Sequence, residues 1–376
     1  MVVIRVLFLM TLSAITIQCQ SEGNTLQLVF RHGDRTNDKM TLYPKDPYFN
    51  YSYYPYGHGQ LTNVGLVIYV LILNSIFRLE KKDYSTYTPD ILYATSTAVC
   101  RTKTSLLMLL AGLFPPASTS LEWGSHLNWS PIPFTYNEQI THVPPFMFCR
   151  EYQQLYKSYL QSDKMQEKLK EYVKWFPYLT YHTGFKSTSY LNLVTVYYHL
   201  KIQDELGMKM PLWSFPLHPH ILKNATIDIF HSFSATKELK RLYGGKFMKN
   251  LVNIMMQKVN GTLTPSNRKL FLYSGHDLNV LSTLYAFNTD CIYKIPSYGA
   301  CVLLELHKNK KNDYFVKIFY DDYELDEIKQ LHIKGCGKDC PFDKLISLIS
   351  ENFPTDESVC NEQTHSRDPF SNVGLP

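Results

Sequence analysis

The sequence predicts an α/β fold: a mostly parallel central sheet flanked by helices, with a mainly helical cap domain inserted into it. Three observations carry that expectation. Two short apolar runs, residues 26–30 (LQLVF) and 269–274 (KLFLYS), have the length and make-up of buried strands, and each runs straight into a polar turn containing glycine. Between them, the middle third has helical periodicity and no clear strand. Near the end, residues 301–306 and 314–320 flank the polar stretch KNKKND and read as a hairpin.

The elements follow in order. Residues 1–22 read as a signal peptide: Arg5 precedes an apolar run over 6–17, small and polar residues follow, and cleavage falls between Cys19 and Gly23. The run is shorter than the ~18 or more residues of a membrane-spanning helix. After the strand at 26–30, residues 43–60 are rich in Tyr, Pro, Gly and Asn and form a long loop. A helix follows over 62–79. Its stretch 64–77 (VGLVIYVLILNSIF) is apolar all round, which suits burial under the cap or a neighbouring loop. An exposed patch serving a partner, a dimer or a membrane surface is the alternative.

A strand over 91–94 and a helix over 101–113 come next. From 151 to 178 the pattern is helical, with Tyr152, Leu155, Tyr156, Tyr159 and Leu160 on one face. Helical character continues over 191–205 and 235–243. The expected division is therefore 23–148 with 246–376 as one α/β domain, and 149–245 as the helical cap.

Composition narrows the partners. Of 376 residues, 28 are Tyr and 21 Phe, and the net charge is +5. That balance is too small and scattered for nucleic acid, and it suits a small anionic substrate. Sequons at Asn50, Asn128, Asn224 and Asn260 fit the secretory route, as do 8 cysteines in an oxidising compartment. If Cys19 leaves with the leader, the remaining number is odd and one thiol is left over.

Two motifs carry chemistry. Arg31-His32-Gly33-Asp34-Arg35-Thr36 follows the first strand directly. Open α/β sheets bind ligands beyond the carboxyl ends of their strands. Arginine forks match phosphate oxygens, and a histidine between two of them faces the phosphorus. A neutral imidazole is a nucleophile there, while the arginines take up charge on the equatorial oxygens. Ser274-Gly275-His276-Asp277 repeats the logic after the second apolar run: His276 donates to phosphate, and Asp277 protonates a leaving alcohol and then activates water.

Together the motifs resemble the histidine acid phosphatase family, branch 2 of the histidine phosphatase superfamily, with RHGDR near the start and HD far downstream. YPKDPYFNYSYYPYGHGQLTNVG is similar to the segment that follows RHGDRT in its insect venom and prostatic members. LAGLFPP, PSYGAC and GCGKDCP fall in family order, so the resemblance spans about residues 25–365. It implies His32 as nucleophile, Asp277 as proton donor, and Arg31, Arg35, Arg101 and His276 as phosphate ligands. It also implies disulfides Cys149–Cys360 and Cys336–Cys340, no metal or cofactor, a phosphate monoester as substrate, and a protomer that is able to dimerise. The implied location is extracellular, through venom or another secretory gland, or else lysosomal. A zinc site at Cys336-Gly337-Lys338-Asp339-Cys340 would need two further ligands that the sequence does not place. A Cys291–Cys301 pairing stays open, with Cys100 as the odd thiol.

The chain departs from the family in one place. Where the family has RSTDxDRTxxS, this sequence has Thr95, Ala98 and Cys100 in place of an arginine and two aspartates, with Arg101 kept. The expectation is that Arg101 is less firmly oriented and turnover slower, unless a carboxylate from another loop substitutes. A weakened phosphatase-like binding or venom protein is the competing function. Asn279 gives a slight likeness to phytases, against which the RHGDRT form and the YPKDP loop argue.

Overall fold

The computed structural model describes residues 22–66, 86–124, 126–137, 149–186, 188–290, 294–322, 328–356 and Cys360. The signal peptide expected over 1–22 lies outside them up to residue 21, as does the apolar run 64–77 beyond Leu66, including Val67 and Val70. No helix among the described residues is long and apolar enough to cross a membrane.

The strands are β1 (Glu22–Arg31), β2 (Leu92–Thr97), β3 (Thr135–Asn137), β4 (Leu270–Gly275), β5 (Cys301–Lys308), β6 (Tyr314–Asp321), β7 (Lys329–Gln330) and β8 (Cys340–Pro341). They form one sheet in the order β3-β2-β4-β1-β5-β6-β7, with β8 also on β6. Pairing from β3 through β2 and β4 to β1 is parallel. The expected hairpin β5–β6 then joins β1 antiparallel and extends that side. Asn309 closes the hairpin turn, its Oδ1 accepting the N–H groups of Lys311 and Asp313.

The helices are α1 (Cys100–Leu113), α2 (Arg150–Leu160), α3 (Asp163–Val173), α4 (Phe176–Thr183), α5 (Tyr190–Glu205), α6 (His220–Ser232), α7 (Lys237–Lys240), α8 (Lys246–Val259), α9 (Asp277–Ala286) and α10 (Phe342–Ile349). The sheet sends alternate side chains to opposite faces. Val29, Phe271, Tyr273 and Val302 pack with Met248, Leu251, Val252 and Met255 of α8 and with α9 and α10. Leu28, Phe30, Leu270 and Leu272 pack with Leu106, Leu109 and Leu110 of α1 on the other face. Period-two alternation with both faces covered explains why β1 and β4 read as continuous apolar runs. Helices α2 to α7 build a second core from Tyr152, Tyr156, Leu169, Leu193, Leu200 and Ile229, which reaches Leu281 and Ile295 of the sheet layer.

Local signals explain where the sequence reading was too coarse. The single helical stretch over 151–178 is three helices. Ser162 ends the first and caps the next, its Oγ accepting the Met165 N–H, and Pro177 opens the third. Helices α6 and α8 had no counterpart in that reading. In α6, β-branched residues and Asn lower the helix propensity, and the helix rests on burial of one face, Leu222, Ala225, Ile229 and Phe230.

Disulfides join Cys149 to Cys360 and Cys336 to Cys340, so the sulfurs of CGKDC are bonded to each other. Cys100 is free and exposed, and Cys301 is free and buried on β5. The open Cys291–Cys301 pairing is therefore not made; Cys291 itself lies outside the described residues. All four sequon asparagines are exposed.

Candidate active site

The parallel register of β1 on β4 sets Phe30 beside Ser274 and Arg31 beside Gly275. It therefore brings the two motifs, far apart in sequence, to the same carboxyl edge of the sheet. The His32 N–H donates to Gly275 O at 2.9 Å, and the His32 and His276 rings stand 5.3 Å apart, edge to face. The turn after β1 is tight because Gly33 crosses the start of the helix at Asn63. A Cβ on Gly33 would lie 2.6 Å from Gly65 O, and one on Gly65 would overlap Asp34 O. Ser105 of α1 takes the Gly33 N–H on its Oγ.

His32 is 3% exposed. Its Nδ1 lies 2.8 Å from Gly33 O, a pure acceptor, so Nδ1 carries the ring proton and Nε2 is left as an acceptor. Arg101 Nε donates to that Nε2 at 3.1 Å. Burial and the cations around it, Arg101 first, hold the His32 pKa well below the ordinary histidine value. Burial and these cations favour the neutral ring in acid solution.

Arg31 is 2% exposed. Its guanidinium donates to Pro296 O at 2.5 Å, pairs with Asp277 Oδ2 at 3.2 Å, and stacks 4.1 Å from the Tyr298 ring centre. Arg35 donates to Thr36 O, and its buried Nε has no hydrogen-bond partner among the described residues. A buried guanidinium N–H without an acceptor at this edge is a donor waiting for an anion's oxygen. Arg101 enters from the first turn of α1; burial and Arg35 lower its pKa to about 10.

His276 caps α9 in a capping box with Asn279, whose Oδ1 accepts the His276 N–H at 2.9 Å. The Asn279 of the sequence reading thus shapes the turn. His276 Nε2 lies 3.2 Å from Thr97 Oγ1 at the end of β2. Burial and Arg101 push its pKa down to about 3. Asp277 accepts from Leu278 N–H on Oδ1, and from Arg31 and the Tyr198 hydroxyl on Oδ2. Burial works against its charge, but Arg31 and Tyr198 outweigh it and hold the carboxyl below its usual range.

All six motif residues therefore meet at one place. The structure also adds groups that the sequence reading missed. Tyr298 touches both Arg31 and His32 and lies in the PSYGAC segment. Tyr198, Lys201 and Glu205 come from one face of α5, where nothing in the sequence marked them. Lys201 and Glu205 form an ion pair, and the Lys201 ammonium lies 4.8 Å from the Tyr298 ring centre. Burial and Glu205 raise the Asp34 pKa to about 6.

Asp38 fits the alternative that the sequence left open. Its Oδ2 lies 3.4 Å from Arg101 Nη1, so a carboxylate from the loop after RHGDRT stands beside that guanidinium. Cys100 is exposed on the outer side of α1, and Thr95 is buried in β2. Ala98→Asp and Cys100→Asp are accordingly expected to change kcat by less than about twofold, and Asp38→Asn to lower it about tenfold or more, because a misplaced catalytic group is costly. Steady-state kinetics on the three variants checks this; a gain in the revertants would mean that Asp38 is no substitute.

The neutral histidines tie stability to pH. His276 falls from an ordinary 6.5 to about 3 in the fold. Above 6.5 neither state binds the proton; below it, the unfolded chain takes a proton that the folded chain refuses. Stability is therefore lost as pH drops from about 6.5 toward 3, by roughly 1.4 kcal/mol per unit for such a group. Denaturant midpoints should fall across that window and fall less steeply in His276→Asn. An equal slope in the variant would rule out His276 as the source.

Comparison with known proteins gives a consistent picture. The family model described as histidine phosphatase superfamily (branch 2) matches residues 24–321. A venom acid phosphatase of Apis mellifera is 31% identical over 377 residues, covering 96% of this chain and 93% of that protein. Prostatic acid phosphatase of Homo sapiens is 30% identical, covering 88% of this chain and 86% of its own length. Among solved structures, apo Hafnia alvei phytase superposes with a TM-score of 0.64 at 14% identity, over 92% of this chain and 99% of that one. At that identity the likeness speaks for the fold alone.

Proposed function

The chain belongs to branch 2 of the histidine phosphatase superfamily, and from that premise we propose that it is a secreted acid phosphatase that hydrolyses phosphate monoesters through a phosphohistidine on His32. The observation that carries the proposal is the setting of His32: Nδ1 lies 2.8 Å from Gly33 O, which leaves Nε2, the nitrogen that meets Arg101 Nε, as the one able to attack.

In the first step Nε2 attacks phosphorus and the ester P–O bond breaks. The departing oxygen takes its proton from Asp277. The arginines and His276 hold the equatorial oxygens throughout. In the second step water attacks the phosphohistidine, Asp277 accepts the water proton, and the N–P bond breaks to give inorganic phosphate and neutral His32. Asp277 is ionised beside Arg31 before substrate arrives. A phosphate dianion next to it raises its proton affinity, which favours the acid form in acid solution. Depressed histidine pKa values serve the same condition, because His32 keeps its lone pair there.

Helices α2 to α7 form the proposed cap over 149–245, and the sheet with its helices forms the α/β domain over 23–148 and 246–376. The two disulfides and the exposed sequons at Asn50, Asn128, Asn224 and Asn260 support the secretory route. Asp38 answers the observation that favoured a weakened, binding-only protein. The test is turnover of a chromogenic aryl phosphate by the purified chain across the acid range. Release of phosphate that peaks in acid is expected, and no release at any pH would remove the assignment.

A further inference from the structure

We propose that Tyr198, on helix α5 of the cap, is a positioning residue for the acid: its hydroxyl donates to Asp277 Oδ2 at 2.5 Å and holds that oxygen when Arg31 turns its charge to a bound phosphate. The proposal rests on the reading of Asp277 as proton donor. It follows from counting the partners of one carboxyl group. Oδ1 has the Leu278 N–H at 2.8 Å. Oδ2 has two donors, the Arg31 guanidinium and the Tyr198 hydroxyl. Arg31 is also a phosphate ligand in the proposed mechanism, and a phosphate dianion competes with Asp277 for its N–H groups. Tyr198 makes no such second contact with the anion in that mechanism, so it is the donor that stays.

A group that gives a proton to one oxygen and takes one from another has to keep its direction through both steps. Tolerances of about half an ångström and 10–20° are what a catalytic geometry allows. Tyr198 is suited to that duty because it is itself fixed. Its ring lies 5.6 Å from the Arg31 guanidinium carbon and stacks against Phe230 of α6. The next residue, His199, anchors this turn of α5. Its ring meets Asp46 Oδ2 at 2.5 Å in a pair with no solvent exposure, and Gln203 donates to Asp46 Oδ1 at 3.0 Å. Asn37, two residues after Arg35, donates to His199 O at 3.3 Å. One turn of α5 is thereby locked to the phosphate loop on one side and to the acid on the other.

The charged and titratable groups facing Asp277 are Arg31 from β1, Arg101 from α1, His276 at the head of its own helix, Tyr243 from the turn between α7 and α8, and Tyr198. Among the described residues, Tyr198 and Arg31 donate to Oδ2. Tyr198→Phe removes the hydroxyl and keeps the ring under Arg31, so the fold is expected to survive and one stabiliser of the carboxylate is lost.

The experiment compares the full-length chain with Tyr198→Phe in two readouts. The first is the titration of the Asp277 carboxyl by carbon NMR with labelled aspartate, its signal assigned by loss in Asp277→Asn. It is expected to move up by about half a unit to one unit in Tyr198→Phe. The second is the kcat profile on an alkyl and on a nitrophenyl phosphate. The alkaline limb should move up with the titration, and kcat on the alkyl ester should fall about tenfold with a smaller loss on the nitrophenyl ester. KM and inhibition by inorganic phosphate should change by less than about twofold. An Asp277 titration that does not move, or an equal loss on both esters with unmoved limbs, overturns the proposal and leaves Tyr198 as packing. Wild-type turnover of the nitrophenyl ester reports separately on the phosphatase reading, while the carboxyl titration tests Tyr198 whether or not that reading stands.

Discussion

Replacing His32 with alanine is expected to lower turnover of every phosphate monoester by at least about a thousandfold and to abolish the phosphoenzyme. The effect is large because no other group among the described residues is placed to do this job. His276 lies 5.3 Å away, centre to centre, but its Nε2 faces Thr97. The two arginine forks and Arg101 remain in His32→Ala, so phosphate should still bind and still inhibit. That separation makes the result diagnostic: binding survives and chemistry does not. The N–P bond is labile in acid, so the trapped intermediate has to be quenched and read at alkaline pH. Turnover of His32→Ala within about tenfold of wild type would remove His32 as nucleophile.

Asp277→Asn is expected to slow hydrolysis of alkyl phosphates by about a hundredfold to ten-thousandfold, the range for losing a general acid, and that of nitrophenyl phosphate much less. A nitrophenolate leaves without a proton, so the ratio between substrates isolates the acid step. The substitution also removes the Asp277 charge from beside the buried Arg31 guanidinium. Breaking one half of a buried pair costs about 3–5 kcal/mol, so a lower denaturation midpoint should accompany the kinetic loss. Inorganic phosphate should restore part of that stability by taking the place of the missing charge. Equal losses on good and poor leaving groups would remove the proton from Asp277.

Much of the site was legible because parallel strands make local motifs meet. RHGDR and SGHD each follow an apolar run, and the register of Arg31 against Gly275 does the rest. Strands β1, β2 and β4, helix α1 and the β5–β6 hairpin were legible for the same reason: each has a simple period and a polar stop. Tyr198 was not legible. It stands in VYYHL, where a tyrosine on a helix reads as core, and only the docking of α5 against the sheet layer turns its hydroxyl to Asp277. Asp38 escaped for a different reason. The sequence places it near His32, but its partner Arg101 is 63 residues away, and a motif comparison looks for that carboxylate beside the arginine. The sequence pattern registers which residues a family keeps side by side; it does not register a replacement contributed by another loop.

The Cys149–Cys360 bond, whose ends are 211 positions apart in sequence, makes the chain a closed ring with a long arm leading into it. Arg31, His32, Arg35, Asp38 and Arg101 belong to the arm; Tyr198, His276, Asp277 and Tyr298 belong to the ring. The arm is not an appendage, because β1 is inserted between β4 and β5, both of which are ring strands. The candidate site is therefore a seam between two topologically distinct pieces of one polypeptide. A single proteolytic cut anywhere between Cys149 and Cys360 leaves one covalently connected molecule. A cut between Arg101 and Cys149 frees an arm that carries His32 and three arginines of the site, held from then on by non-covalent contacts.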